Sequence, residues 1–359
     1  EEHKAVQQAA REVAITRLHD GVIERDTNRT HPSEQVEEMG ALGFMGIMTS
    51  QLYGGSEMDT LSYVLALEEI SKIDASAGVI MSAHNSLVLW AIETYGTDIQ
   101  KEKYLVPMAQ GNNIGCFCLS EPEAGSDASM QQTRAEEAGE YYILNGVKNW
   151  ITNGGHADFQ LVIAQTHPEK KHRGINAFIV EKQWEGVAIG PKEDKLGIRS
   201  SDTHSISYTD VKVPKENRIG EDGFGFKLAM QILEGGRIGI AAQALGIAAG
   251  AYELAAEYST VRSAFGKPIA DHQAIAFKLA DMAVDIEAAR MLVYRSAYLK
   301  DQGQPYGYAS AMAKLKASEV AMKHTVEAVQ IHGGNGYVKE YHVERLMRDA
   351  KITQIYEGT

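Results

Sequence analysis

The hydrophobic spacing of this chain changes period twice, and that succession limits the fold more than any single residue. From Glu1 to about Gly111 apolar residues recur at three- and four-residue intervals, as in LSYVLALEEISKID and AGVIMSAHNSLVLWAIETYG, separated by GG and Asp-rich breaks. This is the spacing of amphipathic helices. Between about Asn112 and Gly220 the pattern becomes short β-rich runs, IGCFCLS, YYILNGVKNWIT, FQLVIAQT, INAFIVEK and HSISYTDVKV, divided by Gly, Asn, Asp and Pro. After EDGFGF the helical spacing returns and lasts to Thr359. There Ile275, Leu279, Met282, Ile286, Ala289 and Val293 form a stripe suited to packing in a helix bundle or across a subunit interface. The expected architecture is α+β: an N-terminal helical domain (1–111), a middle β domain (112–220) and a C-terminal helical bundle (221–359).

A chain of 359 residues that is 44% hydrophobic, with only 8 prolines, has material for a large core and is not mainly disordered. Its formal net charge of -13 opposes nonspecific binding to nucleic acid or anionic lipid and directs attention to small molecules and proteins. Cys116 and Cys118 lie two apart on one apparent strand, which suits neither a disulfide framework nor a zinc site. The 12 histidines show no H-x-x-x-H or H-E-x-x-H spacing, so no metal site is expected. No G-x-G-x-x-G opens a helix after a strand and no Walker loop is present, which removes Rossmann and P-loop enzymes. No run of about eighteen apolar residues occurs, and no membrane span is expected.

Four stretches have the chemistry of a ligand site. LSEPEAGSD (Leu119–Asp127) offers backbone amides and hydroxyls to a polar ligand edge, and in NWITNGG Trp150 can cover a flat face. The alternative is an ordinary turn followed by a core tryptophan. RSAFGKPIADHQ sets Arg262, Phe265 and Gln273 around a Gly-Lys-Pro turn, fit for a pyrophosphate or simply a solvated helix end. HGGNG (His332–Gly336) lets a ligand approach bare backbone or stops a helix. In IYEGT, Glu357 is a carboxylate able to remove a proton.

In this order, LSEPEAGSD, NWIT, LEGGR, RSAFGKP, HQ, QIHGGNGY and IYEGT resemble the acyl-CoA dehydrogenases, most closely the short-chain (butyryl-CoA) type, over nearly the whole chain. The resemblance implies an FAD-dependent oxidoreductase of fatty-acid β-oxidation, a homotetramer, with an electron-transfer flavoprotein as oxidant. The compartment would be the bacterial cytoplasm or the mitochondrial matrix. It implies flavin contacts at Phe117, Leu119, Ser120, Ser126, Trp150, Ile151 and Thr152. Adenine dinucleotide contacts, made partly across a subunit interface, would fall at Arg262, Phe265, Gln273, Gln330, Gly333 and Gly334, with a further cofactor contact at Thr359. Substrate contacts would fall at Ser126, Glu234, Arg237 and Gly358, and the base would be Glu357.

The base in this family takes the pro-R α proton while the β carbon passes hydride to flavin N5. The thioester carbonyl is polarised by the base residue's own N–H and a flavin ribityl hydroxyl. An apolar pocket would raise the carboxylate's pKa. Two residues depart from the common pattern, Glu123 for glycine and Glu234 for aspartate. Some branched- and long-chain relatives carry the base at the position of Gly236, which cannot serve here. A flavin oxidase or monooxygenase on the same fold, and a non-catalytic assembly scaffold, are the alternative functions.

Overall fold

The computed structural model describes every residue from Glu1 to Thr359. Helices run to Ala109, strands occupy Gly115 to Ile219, and helices resume at Gly225, giving the expected α+β order of helices, sheet and helices. The strands are β1 (Gly115–Cys118), β2 (Arg134–Ala138), β3 (Tyr141–Thr152), β4 (Phe159–Gln165), β5 (Ile175–Glu181), β6 (Val187–Lys192), β7 (Thr203–Pro214) and β8 (Arg218–Ile219). They form one sheet in the order β6-β7-β3-β2-β4-β5-β8, with β1 parallel to β4.

Side-chain alternation gives this sheet two unlike faces. Cys116 and Cys118 pack with Val162, Ala164, Phe178 and Val180 in the core of the β domain, and both thiols are free. Phe117 and Leu119 point the other way, into a core shared with Leu87, Leu161, Ile163 and Ile232. The helix-facing side of β1 therefore carries the residues that reach the site.

Helix Gly225–Val261, 37 residues long, is the axis of the molecule. Gly239, Gly246 and Gly250 lie seven and four apart, on the side that meets helix Thr60–Ile73. A Cβ at each would sit 2.4 Å from Tyr63 Oη, Glu68 O and Lys72 O respectively. Only glycine allows this close approach. Glu68, on the same short helix, accepts from Arg290 Nη2 at 2.9 Å and Tyr294 Oη at 2.8 Å, tying it to helix Gln273–Asp301. By length and hydropathy, Ala75–Tyr95 and Gly225–Val261 would both suit a membrane, but 94% and 83% of their apolar windows are buried within the protein, as in core helices.

The stripe from Ile275 to Val293 faces inward: Met282, Ile286, Ala289 and Val293 are buried in the main core, with Ile275 and Leu279 packed against it. The outer face of the same helix carries a second apolar series, Phe277, Val284, Met291 and Tyr298, seven residues apart and each more than half exposed.

Candidate active site

The wall of the site is made by the ends of β1 and β3. Asn149 N–H donates to Ser120 O at 2.8 Å, which fixes the two segments side by side. Behind them the ammonium of Lys148, fully buried, donates to Leu119 O at 3.0 Å and to Glu121 Oε1 at 2.7 Å, and also to Gln131. Glu121 in turn accepts from the backbone N–H of Gln132 and Thr133, closing the EPEAGSD loop on itself. Burial lowers the pKa of Lys148 to about 8 against the pull of Glu121. A β-bulge between Lys148 and Ile151 turns Trp150 outward, at φ +61° and 60% exposed. It is a rim residue with a free ring face, not a core tryptophan.

The opposite side is built by the C-terminal segment. After helix His342–Ala350 and the turn Lys351–Gln354, three side chains hold the chain in place. Tyr356 Oη donates to Gln243 Oε1, Lys314 Nζ to Gly358 O, and Arg237 Nε to Glu357 O at 3.3 Å. Glu357 itself has φ +57°, a left-handed conformation that costs a non-glycine residue of order 1 kcal/mol and is kept only when its surroundings enforce it. Its backbone N–H donates to no backbone acceptor.

The Glu357 carboxyl enters a cavity of about 120 Å³ lined by Phe117, Leu119, Ser120, Trp150, Ile151 and Thr152 on one side and by Leu87, Leu233, Ile240 and Tyr356 among others. Oε2 is buried without a hydrogen-bond partner. Burial raises its pKa to about 7, opposed by the charges of Arg237 and Lys314. The carboxyl is thus part-protonated near neutrality, with one oxygen free to act as acceptor.

Of the sequence-derived residues, Phe117, Leu119, Ser120, Trp150, Ile151, Thr152 and Glu357 meet at this one cavity, and Arg237 and Gly358 adjoin it. Ser126 is exposed on its loop and outside the lining. Glu234 lies beside Gly307, where an added Cβ would stand 3.0 Å from its Oε1. The second group is elsewhere. Arg262 caps the far end of the long helix, about 38 Å from Arg237 at 1.5 Å per residue. Phe265, 96% exposed, Gln273, Gln330, Gly333 and Gly334 gather around that end, where His332 stacks on Tyr258 with ring centroids 4.2 Å apart. Thr359 is exposed beside Gln354. Gly333 does stop its helix, at φ +60°, and added Cβ atoms at Gly333 and Gly334 would meet nothing within 4 Å. A single chain does not bring the two groups together.

Sequence reasoning missed Leu87, Ser82 and Val79 on the cavity wall, and Lys314 and Gln243 behind the base. Lys314 sits in AKLKASE, which reads as an ordinary amphipathic helix, so no local signal marks it.

The acyl-CoA dehydrogenase N-terminal, middle and C-terminal domain profiles match residues 1–112, 116–211 and 223–359. The chain belongs to the acyl-CoA dehydrogenase family. It is 51% identical over 358 residues to the short-chain specific acyl-CoA dehydrogenase of Clostridium acetobutylicum, covering 100% of this chain and 94% of that one. Among solved structures, butyryl-CoA dehydrogenase from Megasphaera elsdenii superposes with a TM-score of 0.98 at 50% identity, covering 99% of this chain and 94% of that chain. A chain in a structure described as the electron transferring flavoprotein of Acidaminococcus fermentans superposes at 0.99, with 50% identity over 100% of this acyl-CoA dehydrogenase family member and 94% of that chain.

Proposed function

We propose that this protein is an FAD-dependent dehydrogenase of short-chain acyl-CoA thioesters, forming the trans-2-enoyl-CoA, with Glu357 as the base. One observation carries the reading: a carboxyl oxygen, buried and unpartnered, faces an apolar cavity whose far wall is the β1–β3 edge. A structural carboxylate at that depth would be paired, because an unsatisfied buried acceptor costs about 1–3 kcal/mol. A proton-abstracting group must instead stay free.

The residues fit a flavin. The exposed ring of Trp150, the aromatic Phe117 and the polar edge at Ser120 and Thr152 suit a planar heterocycle with hydrogen-bonding margins. When bound, FAD supplies the hydride acceptor. The chain supplies the rest. Glu357 accepts the α proton on its free oxygen, and its unengaged backbone N–H is available to the thioester carbonyl, whose polarisation acidifies that proton. Arg237 and Lys314 hold the segment and limit how far burial raises the base's pKa. Leu87, Leu233 and Ile240 keep water from the reacting centre.

The distance between the two groups of cofactor residues supports a homo-oligomer in which Arg262, Phe265, Gln273, Gln330, Gly333 and Gly334 of one chain complete the FAD site of another; the tetramer is what the family resemblance implies. The exposed apolar series on helix Gln273–Asp301 supports the same assembly. An electron-transfer flavoprotein is the proposed oxidant. Anaerobic mixing of the yellow enzyme with butyryl-CoA is expected to bleach the flavin, and a series of C4 to C16 thioesters to show the fastest reduction at the short end. No bleaching with any acyl-CoA would refute the reading, and rapid oxygen uptake without an added acceptor would make the protein an oxidase.

A further inference from the structure

Outside the active site, three histidines from distant parts of the sequence converge on one buried carboxylate. His31 Nε2 lies 3.7 Å from Asp202 Oδ1, while His156 Nδ1 and His204 Nε2 each lie 3.4 Å from Asp202 Oδ2. The ligand-type atoms of His31, His156 and Asp202 are all within 4.8 Å of one another. We propose that His31, His156 and Asp202, joined by His204, bind a divalent transition-metal cation of the zinc class.

The hydrogen-bond pattern is the reason. His204 donates its Nδ1–H to Gly190 O at 2.8 Å, so in the neutral ring Nε2 carries a lone pair, aimed at a carboxylate oxygen. Two acceptors face each other there, which is unfavourable unless a proton or a metal cation lies between them. His31 is held from behind through Nδ1 by Ser33 Oγ at 2.9 Å, and its Nε2 is buried without a partner. Asp202 is fully buried; Oδ2 accepts from Gly155 N–H at 2.6 Å, but Oδ1 has no partner at all. Two orphaned polar atoms thus stand opposite each other at 3.7 Å. Metal–nitrogen and metal–oxygen bonds of about 2.0–2.2 Å place tetrahedral ligand atoms roughly 3.3 Å apart, close to the separations found. Two or three imidazoles and one carboxylate are a nitrogen-rich set that suits zinc and its neighbours rather than magnesium or calcium.

Two features of the surroundings bear on binding. The His31 and His156 rings are stacked, centroids 3.7 Å apart and 12° from parallel, so His156 must rotate to direct its nitrogen at the same ion. Its side chain is 41% exposed and has room to do so. The nearby ammoniums of Lys182, Lys192 and Lys195 are already engaged by Gly155 O, Arg29 O and Ser201 O.

The absence of a metal motif in the sequence is explained by the spacing: positions 31, 156, 202 and 204 come together only through the packing of the N-terminal helices on the sheet. The bound ion would clip that helical block to the Asn153–Gly155 turn, directly after the Trp150–Thr152 wall.

The test is equilibrium dialysis of the chelator-treated holoenzyme against Zn(II), with metal analysis, and thermal melting with Zn(II) or Mg(II). The expected result is about one zinc per chain at micromolar concentration and a melting-temperature rise with zinc but not magnesium. His156→Ala, at an exposed position that leaves the fold intact, and His31→Gln should each weaken zinc binding at least tenfold. Wild-type protein that binds no zinc, or binds it no better than these variants, would overturn the proposal.

Discussion

A Cβ placed on Gly236 would lie 2.1 Å from Oε2 of Glu357, so the carboxyl occupies the volume that a side chain at position 236 would need. The same Cβ would meet Leu87 Cδ2 at 2.7 Å. Gly236→Ala should therefore push the base off its line of attack, and a displacement of about 1 Å can cost 10²-fold. Steady-state turnover is expected to fall about that much while flavin absorbance per chain stays near wild type. An unchanged turnover would mean that the base does not work from this position.

Glu357→Gln keeps the shape of the side chain and the backbone N–H but cannot accept the α proton. Turnover should fall by 10²–10⁴-fold or more, because a general base is typically worth that much. FAD content should remain at about one per chain, and acyl-CoA should still perturb the flavin spectrum without bleaching it. Glu234→Gln is the contrast, expected to alter apparent affinity and leave reduction at saturating substrate comparatively fast. Stopped-flow reduction measures both.

The raised pKa of Glu357, about 7, fixes the sign of two pH effects. Activity should rise as pH passes upward through about 7, since the base must be ionised. Stability should move the other way. The folded state binds this proton more tightly than the unfolded chain, so the contribution is full below the ordinary carboxylate pKa and is lost as pH rises through about 7. The melting temperature of Glu357→Gln relative to wild type should thus be higher at pH 8 than at pH 5.

Lys314 lowers the pKa of Glu357 by its charge and holds Gly358 O. Lys314→Met should shift the rate profile toward higher pH, an outcome that loss of packing alone would not produce. The pH dependence of kcat provides the check.

Gly246→Ala tests the helix contact beneath the site. The added Cβ would stand 2.4 Å from the backbone carbonyl of Glu68, and backbone cannot yield as a flexible side chain does. Helix propensity favours alanine by about 1 kcal/mol, but overpacking of this kind typically costs 1–3 kcal/mol or more. A net lowering of the urea midpoint is expected.

Met291→Glu places a charge in the outward series of Phe277, Val284, Met291 and Tyr298. Light scattering should show a smaller species, and its FAD content should fall with it, if neighbouring chains share the cofactor.

Local chemistry was legible in the sequence wherever residues act through their own segment. The period change from helix to strand marked the sheet, LSEPEAGSD and NWIT each contribute residues to the cavity wall, and the stripe of Met282, Ile286, Ala289 and Val293 was visible from spacing, though not the side it faces. What could not be read depends on packing between distant segments. Lys314 reaches Gly358 because helix Gly307–His332 lies along the long helix, and His31 reaches Asp202 across the domain boundary. The outward series at positions 277, 284, 291 and 298 was equally periodic, but nothing in its spacing says which stripe faces the core.

The burial of Gly225–Val261 has a consequence for synthesis. This apolar helix is covered on one side by Thr60–Ile73, made before it, and on another by Gly307–His332, made after it. About seventy residues lie between Val261 and the end of Gly307–His332, and at roughly 5–20 residues per second the ribosome needs about 4–14 s to make them. Through that interval the nascent chain displays a half-covered greasy rod that its early helix can shield on one side only. The risk of aggregation is then set by the order in which segments emerge, and no gain in the stability of the finished protein removes it.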